Sequence, residues 1–175
     1  LLKARWLAGE EFLEVVGPAG TKSLLDGLLS VHDYLDGRVD LSVREVGPTE
    51  FSVAGFDVSA TGTEHSMDCL AYRFAGADGD IVYSGDGEAS ASLASFADGA
   101  AVLAHDCSFP DDVDVSNHPT PSQLGAALSG HDFGRVYLTH LYPHTEGRHE
   151  EMLESIGRAY DGEVRVAHDG LRVAV

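Results

Sequence analysis

Apolar residues in this chain change their period in a fixed order, and that order restricts the folds open to it. Leu24, Leu25, Leu28, Leu29 and Val31 recur at helical spacing, so a helix is expected from Thr21, its N-cap, to about Tyr34. Ahead of it, Leu1 to Ala8 has the residues of a helix end. Glu11 to Val16 has those of a strand running into the turn Gly17-Pro18-Ala19-Gly20. From Val39 the period falls to two. Leu41, Val43 and Val46 come first, then Phe51 and Val53, then Phe56 and Val58, with the alternation slipping at Gly55 as it does at a bulge. Cys69 to Phe74 and Asp80 to Tyr83 read as short strands joined by Gly76-Ala77-Asp78-Gly79. Beyond them helices are expected over Ser90 to Ala97, Pro121 to Ser129 and Glu146 to Tyr160. Strands are expected over Ala101 to Ala104 and Arg135 to Thr139, with a closing hairpin of Val164 to Ala167 and Leu171 to Val175. Strands first, then strand and helix by turns, indicate a layered α/β fold whose sheets are covered by helices.

No repeat, low-complexity segment or Pro/Gly/Ser linker divides the 175 residues, so residues 1–175 are expected to form a single domain. No apolar run approaches the roughly 20 residues that cross a bilayer, and Leu1-Leu2-Lys3-Ala4-Arg5-Trp6 lacks the plan of a secretion signal. A soluble cytoplasmic protein is expected. Cys69 and Cys107 sit in strand-like apolar contexts without CxxC spacing, as free thiols of a reducing compartment do.

The charge is strongly one-sided. The net value is −18, and Lys3 and Lys22 are the only lysines. The acids are scattered over loops and helix faces, as in Asp111-Asp112-Val113-Asp114 and Glu150-Glu151. A dispersed acidic excess with few lysines suits a salt-rich, halophilic cytoplasm in which self-repulsion is screened; an acidic mesophile protein is the alternative. In either case the field opposes long-range capture of nucleic acid, which rests on Lys and Arg neutralising phosphates.

Chemistry concentrates where strands are expected to end, the usual location of a site on an α/β scaffold. These places are Thr63-Glu64-His65, Tyr83-Ser84-Gly85-Asp86-Gly87, Ala104-His105-Asp106 and Leu138-Thr139-His140-Leu141, with Ser116-Asn117-His118-Pro119-Thr120 in a loop before a helix. Imidazole and carboxylate are ligands that Zn²⁺ and Mn²⁺ accept. A single strand-end histidine is commonly a hydrogen-bonded structural residue, and Gly85-Asp86-Gly87 alone is turn chemistry. Their order along the chain carries the argument.

That order resembles the downstream motifs of the metallo-β-lactamase superfamily, and within it the ribonuclease Z-like and phosphodiesterase branch. The residues that carry the resemblance are Thr63-Glu64-His65, Ala71-Tyr72-Arg73-Phe74, Tyr83-Ser84-Gly85-Asp86, His105-Asp106-Cys107-Ser108-Phe109, His118-Pro119-Thr120 and Leu138-Thr139-His140-Leu141. The resemblance spans nearly the whole chain. It implies an αββα sandwich and two divalent metal ions, Zn or Mn. His65 would bind one ion, His140 the other, and Asp86 would bridge them. His118 matches the family's proton donor to the departing oxygen. Asp106, where the family has a glutamate, would orient His118. His105 either fixes its loop by a hydrogen bond or contacts the site. The other histidines, His32, His131, His144, His149 and His168, read as solvated or locally bonded.

One family motif has no counterpart here: no His-x-His-x-Asp-His run occurs in the sequence. Its place would be just before Leu1, so the sandwich is expected to be N-terminally incomplete. His65, Asp86 and His140 alone give each ion two protein ligands, where catalytic zinc has at least three. The chain is then a truncated hydrolase, a degenerate copy, or one half completed by another chain. The resemblance implies a phosphodiesterase or ribonuclease Z-like nuclease in the full-length form, acting on a small phosphodiester or an RNA 3′ end. The alternative is a catalytically inactive remnant that acts through partner binding. The short loop Ala75 to Asp80, where tRNA-processing members often carry an insertion, favours a small diester. Apolar surface left on the sheets implies a homodimer or an N-terminal complementing segment, with Leu41, Val43, Val53 and Val58 on the uncovered side.

Overall fold

The computed structural model describes residues 1–175 and divides into two compact units, Leu1–Gly47 and Pro48–Val175. The first unit holds α1 (Leu2–Leu7), β1 (Phe12–Gly17), α2 (Thr21–Val31), a 3₁₀ turn (Asp33–Leu35) and β2 (Asp40–Glu45). β1 and β2 pair in parallel from Phe12↔Asp40 to Gly17↔Glu45, which requires the crossover that α2 supplies. The helix starts at Thr21, the residue expected to cap it. Gly20, at φ 93°, is the N-cap, and the Thr21 hydroxyl donates back to the Pro18 carbonyl. The Glu45 carboxylate instead accepts the backbone N–H groups of Gly20 and Lys22, both at 2.9 Å, placing a negative charge at the positive end of the helix.

The second unit is a seven-stranded sheet in the order β3 (Thr49–Val53), β4 (Phe56–Gly62), β5 (Leu70–Phe74), β6 (Ile81–Tyr83), β7 (Val102–Asp106), β8 (Val136–Thr139) and β9 (Val164–Val166). β3 to β6 are antiparallel neighbours, and β6 to β9 are parallel. The parallel half needs crossovers, and α3 (Ala91–Ala97), α4 (Pro121–Leu128) and α5 (His149–Ile156) provide them. Local chemistry sets where these helices begin. Ser90 accepts the Leu93 N–H at 3.2 Å, and Gln123 accepts the Thr120 N–H at 2.9 Å ahead of Pro121. Val82, Leu103, Val136 and Leu138 from the strands meet Leu124, Leu128, Met152 and Ile156 from the helices, all at most 1% exposed. Burying such a side chain is worth about 1.5–3 kcal/mol.

Four expectations change. The slipped alternation at Gly55 is not a bulge: Ala54 (φ 50°) and Gly55 (φ 84°) form a two-residue left-handed turn closing the β3–β4 hairpin, the backbone that matches strand twist. The helix expected over Glu146 to Tyr160 is shortened to α5, because Glu146 is extended and Gly147 has φ 73°. Leu171 to Val175 pairs with no strand, so β9 closes the sheet without a hairpin. Val58, expected on an uncovered side, is only 3% exposed, so its face of β4 is covered.

Topology brings the chemistry-bearing loops to one edge of the sheet. β6, β7 and β8 are parallel, so the segments after Tyr83, at Asp106 and after Thr139 leave from the same side. β4 is antiparallel to β5 and β5 to β6, so β4 also points that way, and the chain after Gly62 emerges beside them. His65, Asp86, Asp106 and His140 therefore share the carboxyl edge, where ligands bind in open α/β sheets.

Candidate metal centre

Hydrogen bonds stitch these loops together. The Thr63 hydroxyl donates to the Asp86 carbonyl at 2.7 Å, and the Glu88 N–H donates to the Glu64 carbonyl at 2.9 Å, so the His65 and Asp86 segments run side by side. Glycine is required there. A Cβ on Gly85, at φ 65°, would lie 2.5 Å from the Leu70 carbonyl oxygen. One on Gly87 would lie 2.8 Å from Thr63 Cβ. Ser84, 1% exposed, accepts the Asp106 N–H at 2.9 Å and joins the β6 loop to the end of β7. His140 leaves β8 at φ 57° and Asn117 precedes His118 at φ 69°. Left-handed backbone at non-glycine residues persists only where the surroundings enforce it. At Asn117 the Glu88 carboxylate does so by accepting its N–H at 2.9 Å. At His140 the Ser108 hydroxyl bonds the carbonyl at 2.9 Å.

The side chains then converge. The His118 ring lies 5.3 Å from that of His65 and 5.2 Å from that of His140, centroid to centroid. His140 Nε2 is 3.5 Å from Asp86 Oδ2, and both side chains are about a third exposed, at 35% and 38%. Asp106, 1% exposed, has its Oδ2 2.7 Å from His118 Nδ1. The same oxygen accepts the Gly87 N–H at 3.3 Å, and Oδ1 accepts the Ser108 hydroxyl at 2.5 Å. His105 is buried, its Nδ1 bonded to the Asp106 carbonyl at 2.7 Å, and burial holds its pKa below the usual value. It braces the loop. Burial first, and then the charges of Asp86 and Asp106, push the Tyr83 hydroxyl up. That negative field favours a cation.

Ligand atoms of Asp106, His118 and His140 lie within 4.8 Å of one another. Asp106 is nevertheless a poor ligand, because both its oxygens are already bonded in a buried setting while the side chains of Asp86 and His140 are partly exposed. Two ligands of one tetrahedral ion with bonds of about 2.0–2.1 Å sit roughly 3.3 Å apart. The His140–Asp86 separation fits. A cleft of about 270 Å³ flanks His140 and is lined also by Asp169 and by His168, read from sequence as solvated or locally bonded. Ser84, Ser108 and Glu88 were not singled out in the sequence. Ser84 and Ser108 stand inside the two motifs already marked, which was the available signal; Glu88 had none.

Comparison with known proteins follows the same line. No family model matches the chain. Ribonuclease Z of Haloferax volcanii is 26% identical over 95% of this chain and 70% of its own length. The metallo-β-lactamase fold protein YhfI of Bacillus subtilis superposes with a TM-score of 0.75 at 21% identity, over 97% of this chain and 67% of that one. This chain has the metallo-β-lactamase fold and is similar in sequence to a ribonuclease Z. The short form of human tRNase Z shares the fold too, with a TM-score of 0.69 at 17% identity over 94% of this chain and 68% of that one. About a third of each relative's length thus has no counterpart in this metallo-β-lactamase-fold chain. The relatives agree with a metal-dependent hydrolase of phosphodiesterase or nuclease type.

Proposed function

We propose that this chain forms the larger part of a metal-dependent phosphodiesterase, with a small phosphodiester favoured over a tRNA precursor. The observation that carries the reading is the adjacency of two pairs: His140 with Asp86 at 3.5 Å, both partly exposed, and His118 with buried Asp106 at 2.7 Å. In this reading His65, Asp86 and His140 would hold two divalent ions, Zn²⁺ or Mn²⁺. When bound, such a pair supplies a nucleophile at neutral pH and neutralises the diester's charge. His118 directs Nε2 toward the cleft because Nδ1 is held by Asp106, and it protonates the departing oxygen. Asp106 fixes the ring's tautomer and orientation.

Three residues do not complete two ions, so the activity belongs to a form in which a complementing segment supplies the remaining ligands. Exposed Leu24, Leu28 and Val31 on α2 suit such a segment, or a second copy of the chain. The dispersed acidic surface suits a salt-rich cytoplasm; no helix is long and apolar enough to cross a membrane. The loop between β5 and β6 is short, clamped by the Arg73–Asp80 ion pair at 2.7 Å, and offers no arm for a large RNA. The test joins this chain to a segment carrying His-x-His-x-Asp-His and measures cleavage of bis-p-nitrophenyl phosphate with Mn²⁺ or Zn²⁺. Metal-dependent turnover that His118→Ala slows with metal content unchanged is expected. A protein that binds two ions yet cleaves no diester refutes the function; loss of metal in His118→Ala refutes the proton-donor role.

A further inference from the structure

Three consecutive residues, Asp86-Gly87-Glu88, touch three different parts of the site. The Asp86 side chain stands 3.5 Å from His140 Nε2, and the Gly87 N–H donates to buried Asp106 at 3.3 Å. Glu88 reaches furthest. Its backbone N–H donates to the Glu64 carbonyl at 2.9 Å, which fixes the residue beside the segment of His65, and its Oε1 accepts the Asn117 N–H at 2.9 Å. Asn117 is the residue before His118. Metal binding and proton transfer leave the Glu88 carboxylate unused.

The backbone around His118 makes that one bond consequential. Pro119 has its φ fixed by its ring and is less than 2% exposed, so the chain after His118 is anchored. The Thr120 N–H donates to the Gln123 side-chain oxygen at 2.9 Å, where α4 begins. His118 itself precedes a proline, which disfavours the helical region for it and leaves its own backbone little latitude. The freedom that remains is at Asn117. That residue sits at φ 69°, a left-handed conformation that asparagine tolerates better than most residues but does not prefer. A turn of Asn117 out of this conformation would carry the His118 ring off Asp106, whose Oδ2 is 2.7 Å from Nδ1. A carboxylate makes the stronger kind of hydrogen bond to a backbone N–H, and Glu88 supplies one where the conformation needs holding.

We propose that Glu88 is a positioning residue for the proton donor: by holding the Asn117 N–H it keeps the His118 ring on Asp106 and ties its place to the loop that carries Asp86. The proposal rests on the hydrolase reading for what His118 does, whereas the place of its ring is measurable without turnover. The effect of Glu88 on the reaction passes through His118. Its removal should therefore fall on kcat, and most heavily for a leaving group that needs a proton.

The experiment compares Glu88→Ala and Glu88→Gln with the parent, each in the zinc-loaded full protein that includes its complementing segment. Glutamine keeps an oxygen that can accept the Asn117 N–H; alanine does not. By ¹H–¹⁵N NMR, the proton that His118 Nδ1 shares with Asp106 should give a signal in the parent and in Glu88→Gln, and should be lost to exchange with water in Glu88→Ala. In turnover, Glu88→Ala should lower kcat for diphenyl phosphate about tenfold, a part of the roughly 10²- to 10⁴-fold that a general acid supplies. The loss should be smaller for bis-p-nitrophenyl phosphate, whose phenolate departs without a proton, with KM and zinc content unchanged and Glu88→Gln close to the parent. A signal that is missing in the parent, persists in Glu88→Ala or vanishes in Glu88→Gln would overturn the proposal, and so would equal losses on the two diesters or a loss of zinc. A signal that depends on Glu88, in a parent that cleaves neither diester, would instead overturn the hydrolase reading and leave the positioning of the ring standing.

Discussion

Asp106→Asn separates the charge of the buried carboxylate from its geometry. In the parent, Oδ2 receives His118 Nδ1 at 2.7 Å and the Gly87 N–H at 3.3 Å, and Oδ1 receives the Ser108 hydroxyl at 2.5 Å. An asparagine fits one way. Its carbonyl takes the Oδ2 position and still accepts from His118 and Gly87. Its amide then faces Ser108, which accepts from it and turns its own proton to the His140 carbonyl at 2.9 Å. His118, Gly87 and Ser108 each keep a partner, so the variant should still fold. What it loses is the charge behind all three bonds, of which only the one to His118 bears on the reaction. A bond to a charged group is worth about 1.5–3 kcal/mol and a neutral one about 0.5–1.5, so the deficit is about 1–2 kcal/mol. Asp106 is 1% exposed and out of reach of a diester, so the loss should fall on kcat, lowered about 5- to 30-fold, with KM nearly unchanged. The assay is cleavage of bis-p-nitrophenyl phosphate, with bound metal measured on the same samples. Full activity in Asp106→Asn would refute the positioning role, and activity lost in proportion to metal would show Asp106 to be a ligand.

Further outcomes follow from the same contacts. Gly85→Ala places a Cβ 2.5 Å from the Leu70 carbonyl at φ 65°, so it should cost about 2 kcal/mol or more and displace Asp86; an unchanged melting temperature and metal content would contradict this. Cys107 is fully buried and burial pushes its thiol up, whereas Cys69 is partly exposed. Iodoacetamide at pH 8 should therefore modify Cys69 alone, and mass spectrometry showing Cys107 modified in the folded protein would contradict the burial. The same shift has a sign. The folded state keeps the Cys107 proton that the unfolded chain gives up above its ordinary pKa of 9.0, so this contribution to stability is full below that pH and declines as pH rises beyond it. Cys107→Ala should flatten the alkaline fall in denaturation free energy, and an unaltered slope would contradict it.

Alternation of apolar residues placed β3 and β4, and short apolar runs bounded by turn residues placed the other strands of the large sheet. Alternation was not enough to distinguish the Ala54–Gly55 turn from a bulge, since both shift the alternation and only the pairing partner differs. Leu171 to Val175 has the residues of a strand, yet strand formation needs a neighbour's hydrogen bonds, and none is offered there. The site divides in the same way. His65, Asp86, Asp106, His118 and His140 were visible in sequence because each sits in a short motif at a strand end or before a helix. That Asp106 faces His118 rather than the open cleft, and that Glu88, Ser84 and Ser108 hold the loops in register, depended on distances between segments many residues apart. The sequence by itself determined which residues are capable of chemistry. Tertiary structure decided which of them meet, because the parallel order of β6, β7 and β8 sets which loops leave the same edge of the sheet.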